Sequence, residues 1–514
     1  MKAVAERPTL GMVAFDLGAE SGRAVLGRFD GRRLTVEEVH RFPNEPVQAA
    51  GHLYWDFLRL FAEMKRGLGA ARRAHGAALG AIGVDAWGVD FALFTADGEL
   101  VANPYHYRDP HTKGMMERAF SILPARELFQ ITGIQMMPIN TLFQLLALKT
   151  ANSPLLRAAS TLLMMPSAFS YLLSGEPVDE FTAVSTSQLY NSRAGCWASP
   201  ILNAFDLPER LFPTVRRPGT VVGALRQEHA HELGMEPTPV VLPAGHDTAC
   251  AVAAVPASPS SPGRTRAYIS SGTWSLVGVE RQQPITTEKA FAANLSNEGG
   301  VFGTFRLLKN VMGLWLLQQC QRQWQREGFD ATYSELTRMA SGARGRQCFI
   351  DPDDESFLRP TNVVESIQRF CRQTGQRVPE DRAEIVRTIL KSLALKYRWV
   401  IEQIQEVTGS FVDRIHVVGG GARNELLCQL TADVTGRPVI AGPVEATAVG
   451  NLLMQAKALG EITTLEELRS VVRESFATTL YEPGRTADWE DTYQYFQNRI
   501  LNWSGSERET ASPL

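Results

Sequence analysis

Two short strand–turn–strand patterns constrain this chain more than any other feature. The first runs through an apolar stretch, residues 11–15, into Asp16-Leu17-Gly18-Ala19-Glu20-Ser21-Gly22-Arg23, and leaves along residues 24–27. The second spans residues 266–277, with Ser270-Ser271-Gly272-Thr273 at its tip. Each reads as a β-hairpin with Ser and Gly in the turn. A hairpin used twice predicts two related half-structures. At 514 residues the chain exceeds what one core supports, so two or three domains are expected.

The tips also carry chemistry. Glycine lets backbone N–H groups approach an anion and point at it together. Ser21, Ser271 and Thr273 add hydroxyl donors. The two turns therefore suit a polyphosphate. Asp16 repels phosphate unless a cation lies between them, so its natural role is to hold Mg²⁺, directly or through water.

Strand-like and helix-like stretches alternate throughout, which indicates an α/β protein. Residues 79–84 and 91–94 read as short strands. Residues 54–71 read as a helix, with Trp55, Leu58, Phe61, Met64 and Leu68 at helical spacing. Residues ~110–175 are mostly helical in pattern. Residues 240–242 form a short strand running into Gly245-His246-Asp247-Thr248, and a small-residue helix follows over 249–255. Residues 256–263, rich in Pro and Ser, are the clearest loop. The domain boundary is placed just before it, giving domains over 1–245 and 246–485 and a disordered polar tail over 504–514. Later, residues 385–407 carry a long amphipathic helix with Gly409 as its stop. Strand 415–418, the turn Gly419-Gly420-Gly421, helix 424–434 and strand 437–441 then make a βαβ unit. Glycines at the carboxyl end of a strand admit a flat ring system against the backbone; a plain βα loop is the alternative.

Composition excludes several classes. A net charge of −3 provides no basic field for nucleic acid or an anionic membrane. No stretch approaches 18 uninterrupted apolar residues, and the first ten residues lack a signal-peptide core. Six scattered cysteines without a C-x-x-C pair indicate reduced thiols in a cytoplasmic protein rather than zinc or disulfides. The G-x-x-x-x-G-K-[ST] loop, the G-x-G-x-x-G fingerprint and the protein-kinase set are all missing.

Several side chains have two readings. Asp247 begins a helix and suits either an N-cap or an ionised general base favoured by the helix N-terminus. His246 is a sugar-hydroxyl partner or a structural histidine. Asp85 and Asp90 flank Trp87-Gly88, which suits a polyol or a core tryptophan with solvated acids. Arg108 and Asp109 fit a ligand-facing edge or a surface ion pair.

Eight stretches together resemble the FGGY carbohydrate kinase family of the actin-like ATPase superfamily, over residues 12–480. They are Asp16 to Arg23, Val84-Asp85-Ala86-Trp87-Gly88-Val89-Asp90-Phe91, Tyr107-Arg108-Asp109 and Gly245-His246-Asp247-Thr248. Ser270-Ser271-Gly272-Thr273-Trp274-Ser275, Asn297-Glu298-Gly299-Gly300, Leu308 to Trp315 and Val418 to Asn424 complete the set. The resemblance implies two RNase-H-like domains flanking a catalytic cleft, with sugar mainly on the first and ATP on the second. It implies ATP-dependent phosphorylation of L-rhamnulose at O1, with Mg²⁺. L-fuculose and L-xylulose are the alternative substrates, and a non-kinase ATPase or sugar-sensing regulator is the alternative class. Ala19, Glu20, Ser21, Gly22 and Arg23 match the family's phosphate turn, and Asp16 remains the metal acid on the charge argument above. Gly88, His246, Asp247, Thr248 and Asn310 match sugar-binding positions, with Asp247 the catalytic base; Trp87 and Asp90 join the sugar-binding set on their own chemistry, a ring for apolar ligand faces and a carboxylate for hydroxyls. Thr273, Gln318 and Gly420 match ATP-binding positions. Glu20 departs from the serine this branch of the family carries there, which leaves its role open. The loop over 256–263 is longer than usual and reads as a surface insertion. The expected partners are a small sugar and ATP, without nucleic acid or membrane, in a cytoplasmic monomer or homodimer.

Overall fold

The computed structural model describes residues 9–258, 261–343, 348–484 and 486–503. The tail over 504–514 lies outside the described residues, as do residues 259 and 260 of the Pro/Ser-rich loop. The backbone groups into two compact units. The first is Met1–Pro259, Glu280–Leu308 and Glu445–Ala477; the second is Ser260–Val279, Lys309–Val444 and Thr478–Leu514. This grouping differs from a single cut after residue 245, and packing explains why. Helix Asp247–Ala253 lies against helix Ala446–Ala458 so closely that a Cβ on Gly450 would come within 1.9 Å of the Cys250 carbonyl oxygen. Both helices therefore stay with the first unit.

The first unit is built on a six-stranded sheet. Its strands run Thr220–Ala224, Pro239–Leu242, Ala81–Ala86, Leu10–Leu17, Ser21–Phe29 and Leu34–Pro43 in spatial order. Leu10–Leu17 pairs antiparallel with Ser21–Phe29 and parallel with Ala81–Ala86, which is itself parallel to Pro239–Leu242. Met12, Val13, Ala14 and Phe15 are all fully buried. A strand covered on both faces needs a continuous apolar run, and that is what the sequence has there.

Helix Ala446–Ala458 packs on this sheet through polar groups. Asn451 Nδ2 donates to Asp85 Oδ2 at 2.6 Å, and Gln455 Nε2 donates to the Val13 carbonyl at 2.9 Å. Gly83 makes the approach possible, since a Cβ there would lie 2.5 Å from Asn451 Oδ1. Helix Phe57–His75 buries Phe57, Leu60, Met64, Leu68 and Ala71. The expected phase differed: Leu58 is 58% exposed, and Trp55 is buried but precedes the helix. Met64 and Leu68 are buried as expected, but the first two turns bury Phe57 and Leu60 in place of Leu58 and Phe61, the helix beginning only after Asp56.

The second unit repeats the plan. Strand Arg264–Ser271 pairs antiparallel with Trp274–Arg281 and parallel with Phe411–Val418, which runs parallel to Val439–Ala441. Each unit thus starts from a hairpin whose first strand also takes a much later parallel partner. Helix Glu425–Thr435 completes the βαβ unit, with Asn424 as its cap: Oδ1 accepts from Leu427 N at 2.9 Å. Helix Arg382–Thr408 ends at Gly409 in the left-handed region, φ 65°. No helix among the described residues is long and apolar enough to cross a membrane. Five of the six cysteines are buried, and all six are free.

The Gly450 contact makes a signed prediction. Alanine is intrinsically better in a helix by about 1 kcal/mol. A backbone carbonyl at 1.9 Å cannot move aside as a side chain can, and overpacking costs about 1–3 kcal/mol. Gly450→Ala is therefore expected to lower the thermal unfolding midpoint, by about 1–3 °C in a chain of this size; an unchanged or higher midpoint would contradict the packing described.

Candidate active site

Three neighbouring parallel strands deliver the chemistry-bearing residues at their carboxyl ends. Asp16 ends the first and stands directly beside Asp85 of the second in register. The Ala86 amide donates to the Gly245 carbonyl at 2.9 Å, and Ala86 bridges to His246. Gly88, His246 and Asp247 are thereby gathered with Asp16 and Asp85 at one sheet edge. Gly245 has no room for a side chain: a Cβ would sit 2.8 Å from Glu180 Oε2. That buried carboxylate accepts from the Gly245, Thr182 and Ala183 amides at 2.8, 2.8 and 3.1 Å.

His246, not Asp247, occupies the cap position of helix Asp247–Ala253, and no side chain caps it. Asp247 is the first helical residue. Its Oδ1 accepts from the Thr248 amide at 2.5 Å and the Thr248 hydroxyl at 3.2 Å. The side chain keeps 29% of its surface exposed. The capping reading therefore fails, and Thr248 steers the carboxylate. Other groups than the helix N-terminus act on its charge as well. Burial holds the Asp247 carboxyl above its ordinary value, with Asp16 adding to the rise while His246 and Thr248 oppose it. Asp85 is fully buried, and burial pushes it well above the usual range, with Asp16 and Asp247 adding and Asn451 and Arg23 opposing.

His246 is wired on both edges. Nε2 lies 3.4 Å from Asp247 Oδ1, and a Cβ on Gly88 would lie 3.3 Å from the same nitrogen. Nδ1 lies 3.1 Å from Arg306 Nη2 and 3.3 Å from Glu298 Oε2. Arg306 is fully buried and also donates from Nε to the Gly299 carbonyl at 2.8 Å. Sequence reasoning missed Arg306. Its signal was an arginine set between Phe305 and Leu307 in the mostly buried strand Phe305–Met312.

Asp90 and Asp109 are not at the ligand-facing surface. Asp90 is fully buried; Oδ2 accepts from Trp55 Nε1, Trp87 Nε1 and the Tyr107 amide at 2.6, 3.0 and 3.1 Å. Oδ1 accepts from Gln144 Nε2 at 2.8 Å. Asp90 therefore anchors the Trp55 and Trp87 rings, which meet in a tilted pair with centroids 4.0 Å apart, instead of meeting a polyol. Trp87 is 5% exposed, so the ring is core more than platform. Asp109 is likewise buried, accepting from the Leu53 and His111 amides at 2.6 and 2.9 Å, and is not a surface ion pair with Arg108.

The first glycine turn places Ala19, Glu20 and Ser21 at the half-buried tip. Gly22 is required by contact, since a Cβ would come within 2.3 Å of the Phe42 ring. Arg23 donates from Nη2 and Nε to Asp16 Oδ2 at 2.7 and 3.0 Å and also pairs with Glu445. Burial opposes the Arg23 charge, but Asp16 and Glu445 more than offset it and raise its pKa. Both bonds fall on Oδ2, which leaves Asp16 Oδ1 for a cation. No group of three or more His, Cys, Asp or Glu among the described residues is arranged to hold a metal. The residues thus fit an ion that takes most of its ligands from water and phosphate, as Mg²⁺ does.

In the second unit, the hairpin tip meets the triple-glycine turn. A Cβ on Gly421 would overlap Ser271 Oγ at 2.0 Å, and Gly419, at φ 81°, would approach the Ser271 carbonyl to 3.1 Å. Gly420 by contrast faces open space. The Thr273 carbonyl accepts from the Gly313 and Trp315 amides at 3.1 and 3.2 Å, joining the tip to helix Trp315–Arg326. Gln318 on that helix has a buried Oε1 without a hydrogen-bond partner among the described residues. Thr273, Gln318 and Gly420 are thus all in this unit, as is Asn310, half-buried on strand Phe305–Met312.

Family models for the FGGY family of carbohydrate kinases match on both halves, the N-terminal domain over residues 11–254 and the C-terminal domain over 267–459. The chain belongs to the FGGY family of carbohydrate kinases. Relatives of this FGGY chain include a rhamnulokinase of Bacteroides thetaiotaomicron, 44% identical over 95% of this chain and 99% of its own. A rhamnulokinase of Bacillus subtilis is 37% identical over 95% of this chain and 98% of its own. Among solved structures, a xylulose kinase from Lactobacillus acidophilus has a TM-score of 0.77 at 15% identity, covering 96% of this chain and 99% of its own. A Plasmodium falciparum glycerol kinase with ADP has a TM-score of 0.75 at 12% identity, covering 98% and 99%. These share the FGGY kinase fold.

The Asp90 hub gives a pH signature. Burial raises its pKa to about 7, against the donors that stabilise its charge. A carboxyl raised above its unfolded value contributes stability that is present at low pH and lost as pH rises through about 7. Asp90→Asn cannot ionise. The stability of the variant minus that of the wild type should therefore increase from pH 4 to about 7 and level off above, as read from urea midpoints. A difference independent of pH would show that Asp90 is ionised throughout.

Proposed function

We propose that the protein transfers the γ-phosphoryl group of ATP to O1 of L-rhamnulose, giving L-rhamnulose 1-phosphate and ADP. The observation that carries this reading is the Asp247 carboxylate, steered by Thr248, partly exposed and set beside His246, Gly88 and Asp16. The rhamnulokinase relatives, 37–44% identical over more than nine-tenths of this chain, support the substrate. O1 attacks the γ-phosphorus as the bond to the bridging oxygen breaks, and the O1 proton passes to Asp247. Phosphoryl transfer has a loose transition state, so a strong base is not required. Aiming the hydroxyl in line is the larger contribution of Asp247. Trp55 and Trp87, in contact and both bonded to Asp90, keep the Gly88 segment in place.

The turn over Ala19, Glu20, Ser21 and Gly22 would hold phosphate oxygens through backbone and hydroxyl donors. Arg23 keeps Asp16 oriented. Asp16 would hold Mg²⁺, which when bound supplies positive charge against the transferring phosphoryl group. Thr273 and Gly420 would line the nucleotide, with Gln318 offering its unpartnered oxygen.

The test is ADP release with MgATP against L-rhamnulose, L-fuculose, L-xylulose, D-xylulose and glycerol, with a blank lacking sugar. Turnover concentrated on L-rhamnulose is expected. Preference for another polyol overturns the substrate, and sugar-independent ADP release overturns the kinase reading. Asp247→Asn should lower kcat by about 10²–10⁴-fold while calorimetric sugar affinity changes little. Near-normal turnover by that variant would remove Asp247 from the mechanism.

A further inference from the structure

We propose that Arg306 acts as a positioning residue by setting the tautomer of His246, so that the imidazole presents an N–H, not a lone pair, beside Asp247. The ring's Nδ1 has two neighbours that make opposite demands. Arg306 Nη2 at 3.1 Å can only donate, because a guanidinium has no acceptor and does not lose its proton in proteins. Glu298 Oε2 at 3.3 Å would favour a proton on Nδ1.

The geometry favours the arginine. Its hydrogen-bond direction reaches Nδ1, and the guanidinium cannot swing away. Arg306 is fully buried, tied through Nε to the Gly299 carbonyl at 2.8 Å and paired with Glu298 at 3.1 Å. A proton on Nδ1 would place two N–H groups head to head with neither able to leave. Glu298 has its charge met by Arg306, and its Oε1 accepts from Ser296 Oγ at 3.2 Å. Nδ1 therefore holds the lone pair, and the proton sits on Nε2.

The consequence falls at the reacting edge. Nε2 lies 3.4 Å from Asp247 Oδ1, and the missing side chain of Gly88 leaves space at that nitrogen. One sugar oxygen can accept from Nε2–H while a neighbouring hydroxyl gives its proton to Asp247. The opposite tautomer would set two acceptors side by side, both competing for the same hydroxyl proton and neither donating to the sugar. The role of the sugar rests on the kinase reading above; the tautomer itself does not.

The experiment is a long-range ¹H–¹⁵N spectrum of the full chain labelled with ¹⁵N-histidine, with His246 assigned from its absence in His246→Gln. Nδ1 at the shift of an unprotonated ring nitrogen and Nε2 at that of a protonated one are expected. A protonated Nδ1 in the wild type overturns the proposal without any other variant having to fold. Replacing Arg306 alone would take from the buried Glu298 the cation beside it. The paired variant Arg306→Met/Glu298→Gln removes both charges and should let the proton move to Nδ1, where the amide oxygen can accept it. Its KM for the sugar should rise roughly tenfold, the loss of about one hydrogen bond, with KM for MgATP unchanged. An unchanged tautomer in that folded variant also overturns the role. If no polyol is phosphorylated, the kinase reading falls while the spectrum still decides the tautomer.

Discussion

The site depends on one constraint: three parallel strands, Leu10–Leu17, Ala81–Ala86 and Pro239–Leu242, must lie side by side and end together. In α/β sheets the carboxyl ends of parallel strands form the ligand-binding edge. Here each end contributes something different. The first brings Asp16 and the glycine turn, the second Asp85 and Gly88, the third His246 and Asp247. A one-residue slip in the pairing of Leu10–Leu17 with Ala81–Ala86 would send Asp16 and Asp85 to opposite faces. The Ala86 amide on the Gly245 carbonyl fixes the third strand's continuation in the same way. Chemistry is thus set by register before any side chain acts.

Gathering acids there has an electrostatic cost, and the surrounding structure offsets it in two ways. Asp16 is held by Arg23, which in turn is shared with Glu445 from a distant part of the chain. Asp85 forms no ion pair among the described residues, and Arg23 acts on it only through charge; it receives the Asn451 amide, and its Oδ1 is buried with no hydrogen-bond partner among those residues. A buried carboxylate so poorly compensated is pushed toward its neutral form. Helix Ala446–Ala458 is therefore both a packing element and the source of the polar groups that make this edge tolerable. This explains why Glu445–Ala477 groups with the first unit despite its place late in the chain.

What was legible in the sequence is what local pattern encodes. The two hairpins, the βαβ unit after residue 411 and the long helix ending at Gly409 follow from apolar periodicity and turn residues. The Gly245-His246-Asp247-Thr248 segment stood out as a strand running into a helix. What was not legible depends on contacts far apart in sequence. Asp90 looked like a solvated or sugar-facing acid because its donors, Trp55, Tyr107 and Gln144, come from three separate segments. Arg306 gave no motif, since its meaning lies in His246, sixty positions away. The helix over Phe57–His75 was seen, with Met64 and Leu68 rightly on its buried face, but its first turns were mis-phased because Trp55 belongs to the core without belonging to the helix.

The Gly88 segment shows how such contacts impose a shape that local preference opposes. Val89 has φ 67°, a region that a β-branched residue rarely enters and that costs on the order of 1–3 kcal/mol. The Asp90 amide donates back to the Gly88 carbonyl at 2.9 Å, the two-residue closure of a γ-turn whose positive-φ form is rare and strained. Three bonds hold it there. The Val89 amide donates to Thr186 Oγ1 at 3.1 Å, and the Val89 carbonyl accepts from Thr141 Oγ1 at 2.6 Å and Gln144 Nε2 at 3.4 Å. The tight reversal lets two adjacent needs be met within four residues. Trp87 and Asp90 turn inward to bond each other, while Gly88 stays against His246 Nε2. A relaxed turn at Val89 would separate those two tasks, so the strain is the condition for bringing a bare backbone edge to the imidazole.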